Sequence, residues 1–359
     1  MNTLDYSSTL RVGVLGCGVI SANHMKAWSH CLGAQVVAVC DPRRDRAEAC
    51  AREFGVAAFH DSPQTMFEAE ALDLVDIITP RETHADMIRL AARHKVHALC
   101  EKPLCPAYAE AEELLREIRD SIRVMVNENW RYRPYYRQIG EWLRGARLGT
   151  IVKARIALWR SQMLRLEDGS VLPLLLELKP YYARQQRMLI ADALIHQLDV
   201  VRSLFGEVDV VASCIGRASN DIIGEDSATI MLRTGYGMTV VVDGVLSAAG
   251  HAARAPDRVE IAGTRCSVLL DNGVLRLFGA EEEVYRYDED AVRQGCFDSS
   301  IQHFVDQARS GGPFWTSAAD QLGTLRLVER AYEMAGEVLP LSPQTLPPTP
   351  APKITGLSG

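Results

Sequence analysis

Arg11-Val12-Gly13-Val14-Leu15-Gly16-Cys17-Gly18-Val19-Ile20-Ser21 is the stretch on which the reading of this chain turns. Val12 to Leu15 is a short apolar run, β-branched enough for a strand buried in a parallel sheet. Gly16 suits a tight turn, and Gly18 leaves the backbone open to an approaching phosphate. A helix beginning there directs its unpaired N–H groups and the positive end of its dipole at that phosphate. Such a turn also serves as a plain strand-to-helix connection, and the third small position is Ser21 instead of glycine. Serine is still small enough for close helix–strand packing.

The next strand, Gln35 to Cys40, ends in Asp41. An acidic residue about 20 residues past the glycines accepts hydrogen bonds from both hydroxyls of an adenosine ribose. Asp41 before Pro42 also fits the N-cap of the following helix, and the two roles are compatible. Onward to residue 128 the chain alternates strand and helix: Asp73 to Ile78, then His84 to His94; Val96 to Cys100, then Tyr108 to Arg119; finally Ile122 to Val126. Strands separated by helices of this length predict a doubly wound parallel sheet with right-handed crossovers, whose ligands gather at the carboxyl ends of the strands. Three loops fall on that rim: Thr79 to His84, Glu101-Lys102-Pro103, and Asn127 to Pro134.

The second half reads differently. Residues 149–160, 207–217, 227–234, 237–246, 257–262 and 266–270 read as strands, mostly joined by short turns, with a helix near 190–205 and another from Ala318 to Gly336. That pattern predicts an α+β unit with a mostly antiparallel open sheet. The expected organisation is a dinucleotide-binding unit over 1–128, a substrate-binding and oligomerisation unit over 129–340, and a proline-rich tail over 341–359.

The 359 residues suffice for roughly two domains, and 47% apolar with 24% charged residues describes an ordinary globular protein. A net charge of −7 without a basic block argues against nucleic acid as a partner. Nine scattered cysteines without a CxxC pair suggest a reducing, cytoplasmic setting. No Cys/His cluster has ligand spacing, so no metal site is expected. Neither a secretory leader nor a run of membrane-spanning length stands out.

Asp192 and His196, four residues apart, would share one helix face, where a carboxylate raises the basicity of an imidazole and fixes its orientation. The same spacing occurs in ordinary surface pairs. Leu189, Ile190, Ala193, Leu194, Ile195 and Leu198 around them make a solvated helix a poor reading. Lys102 leaves a strand end, where a lysine commonly reaches solvent, but the following Pro103 constrains its direction.

Taken together, the Gly16-Cys17-Gly18 turn, Asp41, Thr79-Pro80 with His84, Glu101-Lys102-Pro103, Asn129 with Arg131 and Pro134, and Asp192-x-x-x-His196 resemble the Gfo/Idh/MocA family of nicotinamide-dependent sugar and inositol oxidoreductases, from about residue 10 to 340. Leu189 to Gly206 is most similar to members acting on sugars and sugar acids. The resemblance implies hydride transfer between NAD and a hydroxyl or carbonyl carbon of a sugar, sugar acid or polyol. Lys102, Asp192 and His196 would be catalytic. Gly16, Cys17, Gly18, Val19, Ile20, Asp41, Arg43, Thr79, Pro80, His84, Glu101, Lys102 and Asn129 would hold the cofactor, although capping and turn duty is an equally local reading of Thr79, Pro80, His84, Glu101 and Asn129. Lys102, Arg131, Trp159, Arg160, Tyr181, Asp192 and His196 would face the substrate. Trp159, Arg160, Tyr181 and Tyr182 also suit a subunit contact.

An aspartate at position 41 disfavours a 2′-phosphate and so points to NAD, while Arg43 and Arg44 keep NADP open. The resemblance further implies a cis Lys102–Pro103 bond and a homodimer or homotetramer. A ketosugar or nucleotide-sugar reductase, and a sugar- or NAD-sensing regulator on the same fold, are the competing readings.

Overall fold

The computed structural model describes residues 8–119, 121–165 and 173–341. Its first sheet contains β1 (Leu10–Leu15), β2 (Ala34–Cys40), β3 (Ala58–His60), β4 (Leu74–Ile77), β5 (His97–Glu101) and β6 (Val124–Asn127), in the order β3-β2-β1-β4-β5-β6. Every neighbouring pair is parallel. The order reverses between β1 and β4, and a crevice opens at such a point.

The connections are α1 (Ser21–His30), α2 (Arg44–Phe54), α3 (Pro63–Ala69), α4 (His84–His94) and α5 (Tyr108–Ile118). Strand alternation sends Val12 and Val14 to the side of Met25 and Trp28 of α1. Leu15, Val75 and Ile77 face Ile88 of α4 and Leu114 of α5. The doubly wound parallel sheet expected from the sequence is present.

After α6 (Pro134–Arg144), the chain builds a second sheet from β7 (Ile151–Trp159), β8 (Val208–Arg217), β9 (Ser227–Thr234), β10 (Thr239–Val245), β11 (Arg258–Gly263), β12 (Ser267–Asp271), β13 (Val274–Phe278), β14 (Glu283–Arg286) and β15 (Leu339–Pro340). The order is β14-β13-β12-β11-β7-β10-β9-β8-β15. Pairing is antiparallel except between β7 and β10 and between β8 and β15. Its remaining helices are α7 (Leu174–Leu178), α8 (Ile195–Phe205), α9 (Glu289–Ser310) and α10 (Ala318–Ala335). Alternate residues such as Ile230, Leu232, Val240 and Val242 share a core with Leu198 and Val201 of α8 and Leu325 and Val328 of α10.

Seven of these elements were not among those expected: α3, α6, α7, α9, β13, β14 and β15. The omission of α9 matters most. Val292, Cys296, Phe297, Ile301, Phe304, Val305 and Ala308 recur at helical spacing, and the Asp288 carboxylate caps the helix by accepting from the N–H groups of Asp290 and Ala291. Charged residues between the apolar ones dilute that signal. This late helix packs with Met25 and Trp28 of α1, covering a face of the first sheet. The expected tail lies, from residue 342, outside the described residues, as do residues 166–172 of the substrate-side segment.

Candidate active site

Gly16 closes β1 with φ +100°, and a Cβ there would stand 2.6 Å from the Ile78 carbonyl oxygen. Only glycine turns here without clashing with the end of β4. A Cβ on Gly18 would meet nothing within 4 Å, so that face of the turn is open. The Cys17 N–H donates to Asp41 Oδ2 at 2.9 Å, and the Arg43 N–H donates to Oδ1 at 2.9 Å. Asp41 therefore ties the glycine turn to the end of β2. The Ser21 hydroxyl folds back to donate to the Gly18 carbonyl at 2.6 Å, which explains how serine replaces the third glycine.

Helix α1 starts without a side-chain cap or an acidic residue in its first turn. Val19 and Ile20 are exposed beside it. An open turn, an uncapped helix N-terminus and a nearby carboxylate fit a dinucleotide. The Arg43 guanidinium turns to Asp45 at 2.7 Å, while Arg44 pairs with Asp61 at 3.6 Å.

At the ends of β5 and β6, Glu101 and Asn127 are register partners. Both reach inward to His24. Glu101 Oε1 lies 3.0 Å from His24 Nε2 and accepts from the Asn127 amide at 2.7 Å. On the other ring nitrogen, His24 Nδ1 lies 2.8 Å from Asp76 Oδ2, which also accepts from the Trp28 indole at 2.7 Å. Burial opposes a charge on His24, but Asp76 and Glu101 outweigh it and raise its pKa to about 10. Burial likewise opposes ionisation of Glu101, yet His24, Lys102 and Asn127 bring it down to about 2.

One residue further along each strand, the direction reverses. Lys102, joined to Pro103 by a cis bond, donates from Nζ to the Asp192 carbonyl at 2.5 Å and to its Oδ1 at 3.1 Å. Asp192 Oδ2 accepts from the Tyr182 hydroxyl and from Lys179 at 3.4 Å. Burial works against the Asp192 charge, but Lys102 and Lys179 hold its carboxyl well below the usual carboxylate range. Glu128, fully buried, places Oε1 at 2.5 Å from His196 Nδ1. The His196 ring stacks on Trp130 at 4.4 Å and 5°. Burial, then Lys102 and Arg133, push its pKa far down. His196 Nε2 has no partner among the described residues.

The structure thus brings Lys102, Asp192 and His196 together, with one correction to their pairing. Residues Leu189–Leu194 form a π-helical turn that passes into α8, instead of one continuous α-helix. Asp192 is therefore directed at Lys102, Lys179 and Tyr182, and His196 meets Glu128. Glu128, Lys179 and Trp130 were missed as site residues. Glu128 lay within a loop already assigned to the rim, but nothing local says which histidine it meets.

Other expected residues lie elsewhere. Arg131 is engaged within the fold: its guanidinium bonds Asp199 at 2.5 and 2.7 Å, Asp320 at 2.7 Å and the Trp315 carbonyl at 2.9 Å. A buried carboxylate beneath it makes it a brace. His84 is also a brace, buried with its ring nitrogens 2.8 Å from the Pro103 carbonyl and 2.9 Å from the Thr79 carbonyl. Glu101 spends its carboxylate largely on His24. Trp159 and Arg160 bond within the second half of the chain, the Trp159 indole donating to Asp243 of β10 at 2.7 Å and Arg160 Nε to the Ala255 carbonyl ahead of β11 at 2.9 Å. Tyr181 is exposed and packs on Tyr182 at 4.8 Å. The buried Asn129 side chain has no partner among the described residues. Beside this cleft, Arg81, Arg184, Gln186, Arg187 and Ala191 line a cavity of about 360 Å³.

Residues 10–128 match the Gfo/Idh/MocA model described as an oxidoreductase family with an NAD-binding Rossmann fold. Residues 136–269 match the model of the Gfo/Idh/MocA C-terminal domain. The chain is 33% identical to a D-apiose dehydrogenase of Paraburkholderia graminis, over 90% of this chain and 87% of that one. To the inositol 2-dehydrogenase of Rhizobium meliloti it is 27% identical, over 92% and 98%. A solved oxidoreductase from Agrobacterium radiobacter, in complex with NAD+, L-tartaric acid and magnesium, superposes with a TM-score of 0.84 at 28% identity, covering 91% of this chain and 96% of that one.

Proposed function

The chain belongs to the Gfo/Idh/MocA family of oxidoreductases with an NAD-binding Rossmann fold, and from that premise we propose that it oxidises a CH–OH group of a sugar, sugar acid or polyol with NAD. The observation that carries this reading is the meeting of Lys102, Asp192 and His196, from opposite halves of the chain, on the sheet rim that also carries the open glycine turn. Relatives named D-apiose dehydrogenase and inositol 2-dehydrogenase support a small polyhydroxylated substrate.

Gly16, Cys17, Gly18, Val19, Ile20 and the N-terminus of α1 receive the pyrophosphate, and Asp41 receives the ribose hydroxyls. Thr79, Pro80 and Asn129 complete that rim. Asp41 together with the acid-paired Arg43 and Arg44 supports NAD over NADP. Bound NAD supplies the hydride acceptor. Lys102 donates a hydrogen bond to the reacting oxygen and stabilises the negative charge that develops on it. His196 takes the hydroxyl proton at Nε2. Asp192 anchors the Lys102 ammonium, and Lys179 with Tyr182 anchors Asp192. Arg81 and Arg184, beside the cleft, suit a carboxylate arm on the substrate.

The exposed Val152, Trp159 and Phe278 on the second sheet support pairing of two or four copies there. Nine free cysteines support a reducing cytoplasm, and no helix among the described residues is long and apolar enough to cross a membrane. The test is NADH formation on a panel of aldoses, aldonic acids and inositols. Turnover on at least one, abolished by Lys102→Met, is expected; failure on every member overturns the assignment.

A further inference from the structure

We propose that Glu128 and His196 form a proton-sharing pair: the proton that Nε2 takes from the substrate displaces the Nδ1 proton onto Glu128, so that no imidazolium forms in the cleft. The proposal rests on the dehydrogenase reading for its substrate, but its geometry stands apart from it. At 2.5 Å, Nδ1 and Oε1 hold one proton between them. Two bare atoms would repel at that spacing, and two protons would not fit. Trp130, parallel to the imidazole at 4.4 Å, prevents the ring from turning away.

The two ends of the pair are unequal in a direction that favours transfer. Glu128 is fully buried, and its Oε2 has no hydrogen-bond partner among the described residues. Burial penalises a carboxylate anion there more than Lys102, Arg131 and the Trp130 N–H favour it, whereas the neutral acid loses little. A doubly protonated imidazole is penalised by burial and by the cations of Lys102 and Arg133. Charged and titratable groups reach the pair from every side: Glu101 at the end of β5 and Lys102 after it, Arg131 and Arg133 beyond β6, Asp192 from the π-helical turn, Asp199 from α8 and Cys296 from α9. Burial raises Glu128 to about 7 despite Lys102 and Arg131. In serine-protease triads the corresponding carboxylate stays ionised because its surroundings solvate it better.

The balance is as follows. The substrate O–H bond breaks as Nε2–H forms, and Nδ1–H breaks as Oε1–H forms. The C–H bond breaks, its hydrogen leaving with the electron pair to the oxidised nicotinamide, and the former O–H pair closes the carbonyl. His196 is neutral before and after, with its tautomer exchanged, and Glu128 holds the proton.

Nitrogen-15 NMR of His196 in the cofactor-free protein reads this directly. Above about pH 7 the ring should carry its proton on Nδ1; below it, on Nε2, without an imidazolium signal. Glu128→Gln should abolish that exchange. In sugar oxidation, the wild-type acid limb of kcat near pH 7 should vanish in Glu128→Gln, with kcat lowered by about 10²-fold or more and KM nearly unchanged. One tautomer throughout, or an imidazolium on acidification, overturns the pair even in an active enzyme. A tautomer exchange in a protein that oxidises no sugar supports the pair and removes the dehydrogenase reading instead.

Discussion

His24 and His196 each press on a glutamate at the end of a strand in the first sheet, yet the two regions do opposite things. His24 lies between two carboxylates, with both ring nitrogens engaged and no exposed surface. His196 bonds one carboxylate, has the cations of Lys102 and Arg133 acting on it, and among the described residues one of its nitrogens has no partner. The first arrangement retains a proton and fastens β4, β5 and α1 together. The second keeps the ring neutral and leaves it able to exchange one. A histidine beside a glutamate is therefore a structural cation or a proton carrier according to the third and fourth charges nearby. Strand parity separates the regions: Glu101 and Asn127 reach inward, while Lys102 and Glu128 reach the cleft.

The largest effect that can break this contrast is expected in the cleft. His196→Ala should lower kcat by about 10²- to 10⁴-fold, with the melting temperature within a few degrees of wild type. Steady-state rates retained within tenfold would place the chemistry elsewhere. His24→Ala should show the reverse, losing about 3–5 kcal/mol in urea unfolding because Asp76 and Glu101 remain buried without their cation. Its folded fraction should turn over at a rate near wild type, and a stability loss under 1 kcal/mol would refute the structural assignment.

The pH dependence of unfolding sharpens the same point without mutation. His24 has a folded pKa raised from 6.5 to about 10. Its contribution is complete below pH 6.5 and disappears as pH rises through about 10. Glu101, lowered from 4.5 to about 2, contributes fully above 4.5 and loses that contribution as pH falls through about 2. A urea midpoint in His24→Gln that falls in alkali as steeply as wild type would contradict this. The smallest effect concerns a third carboxylate, Asp41, whose partners in the fold are backbone N–H groups. Asp41→Ala should raise the KM for NAD by about ten- to a hundredfold and narrow the preference over NADP, since one charged hydrogen-bonding site is worth about 1.5–3 kcal/mol. Initial rates against both cofactors measure it.

Much of this was legible in the chain because it is local. The glycine turn needs a residue that tolerates φ +100° beside the Ile78 carbonyl, and the motif announces it. The alternation of strands and helices gave the parallel sheet, and Lys102, Asp192 and His196 could be named before any coordinates. The fold partners of Arg131 and His84 were not legible, because an arginine or histidine on a ligand-bearing rim has the same spacing whether it faces a ligand or a buried partner. Their partners, Asp199 and the Pro103 carbonyl, are 68 and 19 residues away. Helix α9 was not expected at all, and no spacing says that a helix from residues 289–310 will cover a sheet built from residues 10–127.

Sequence alone determined the parallel sheet, the turn shaped for a dinucleotide and the residue types available at the rim, since these depend on backbone freedom and on periods of two and 3.6 residues. Tertiary structure decided which acid each base meets. The π-helical turn at Leu189–Leu194 directs Asp192 to Lys102, and packing brings Glu128 to a histidine 68 residues later. Protonation follows from charge and burial at a point in space, and chain order does not encode that point.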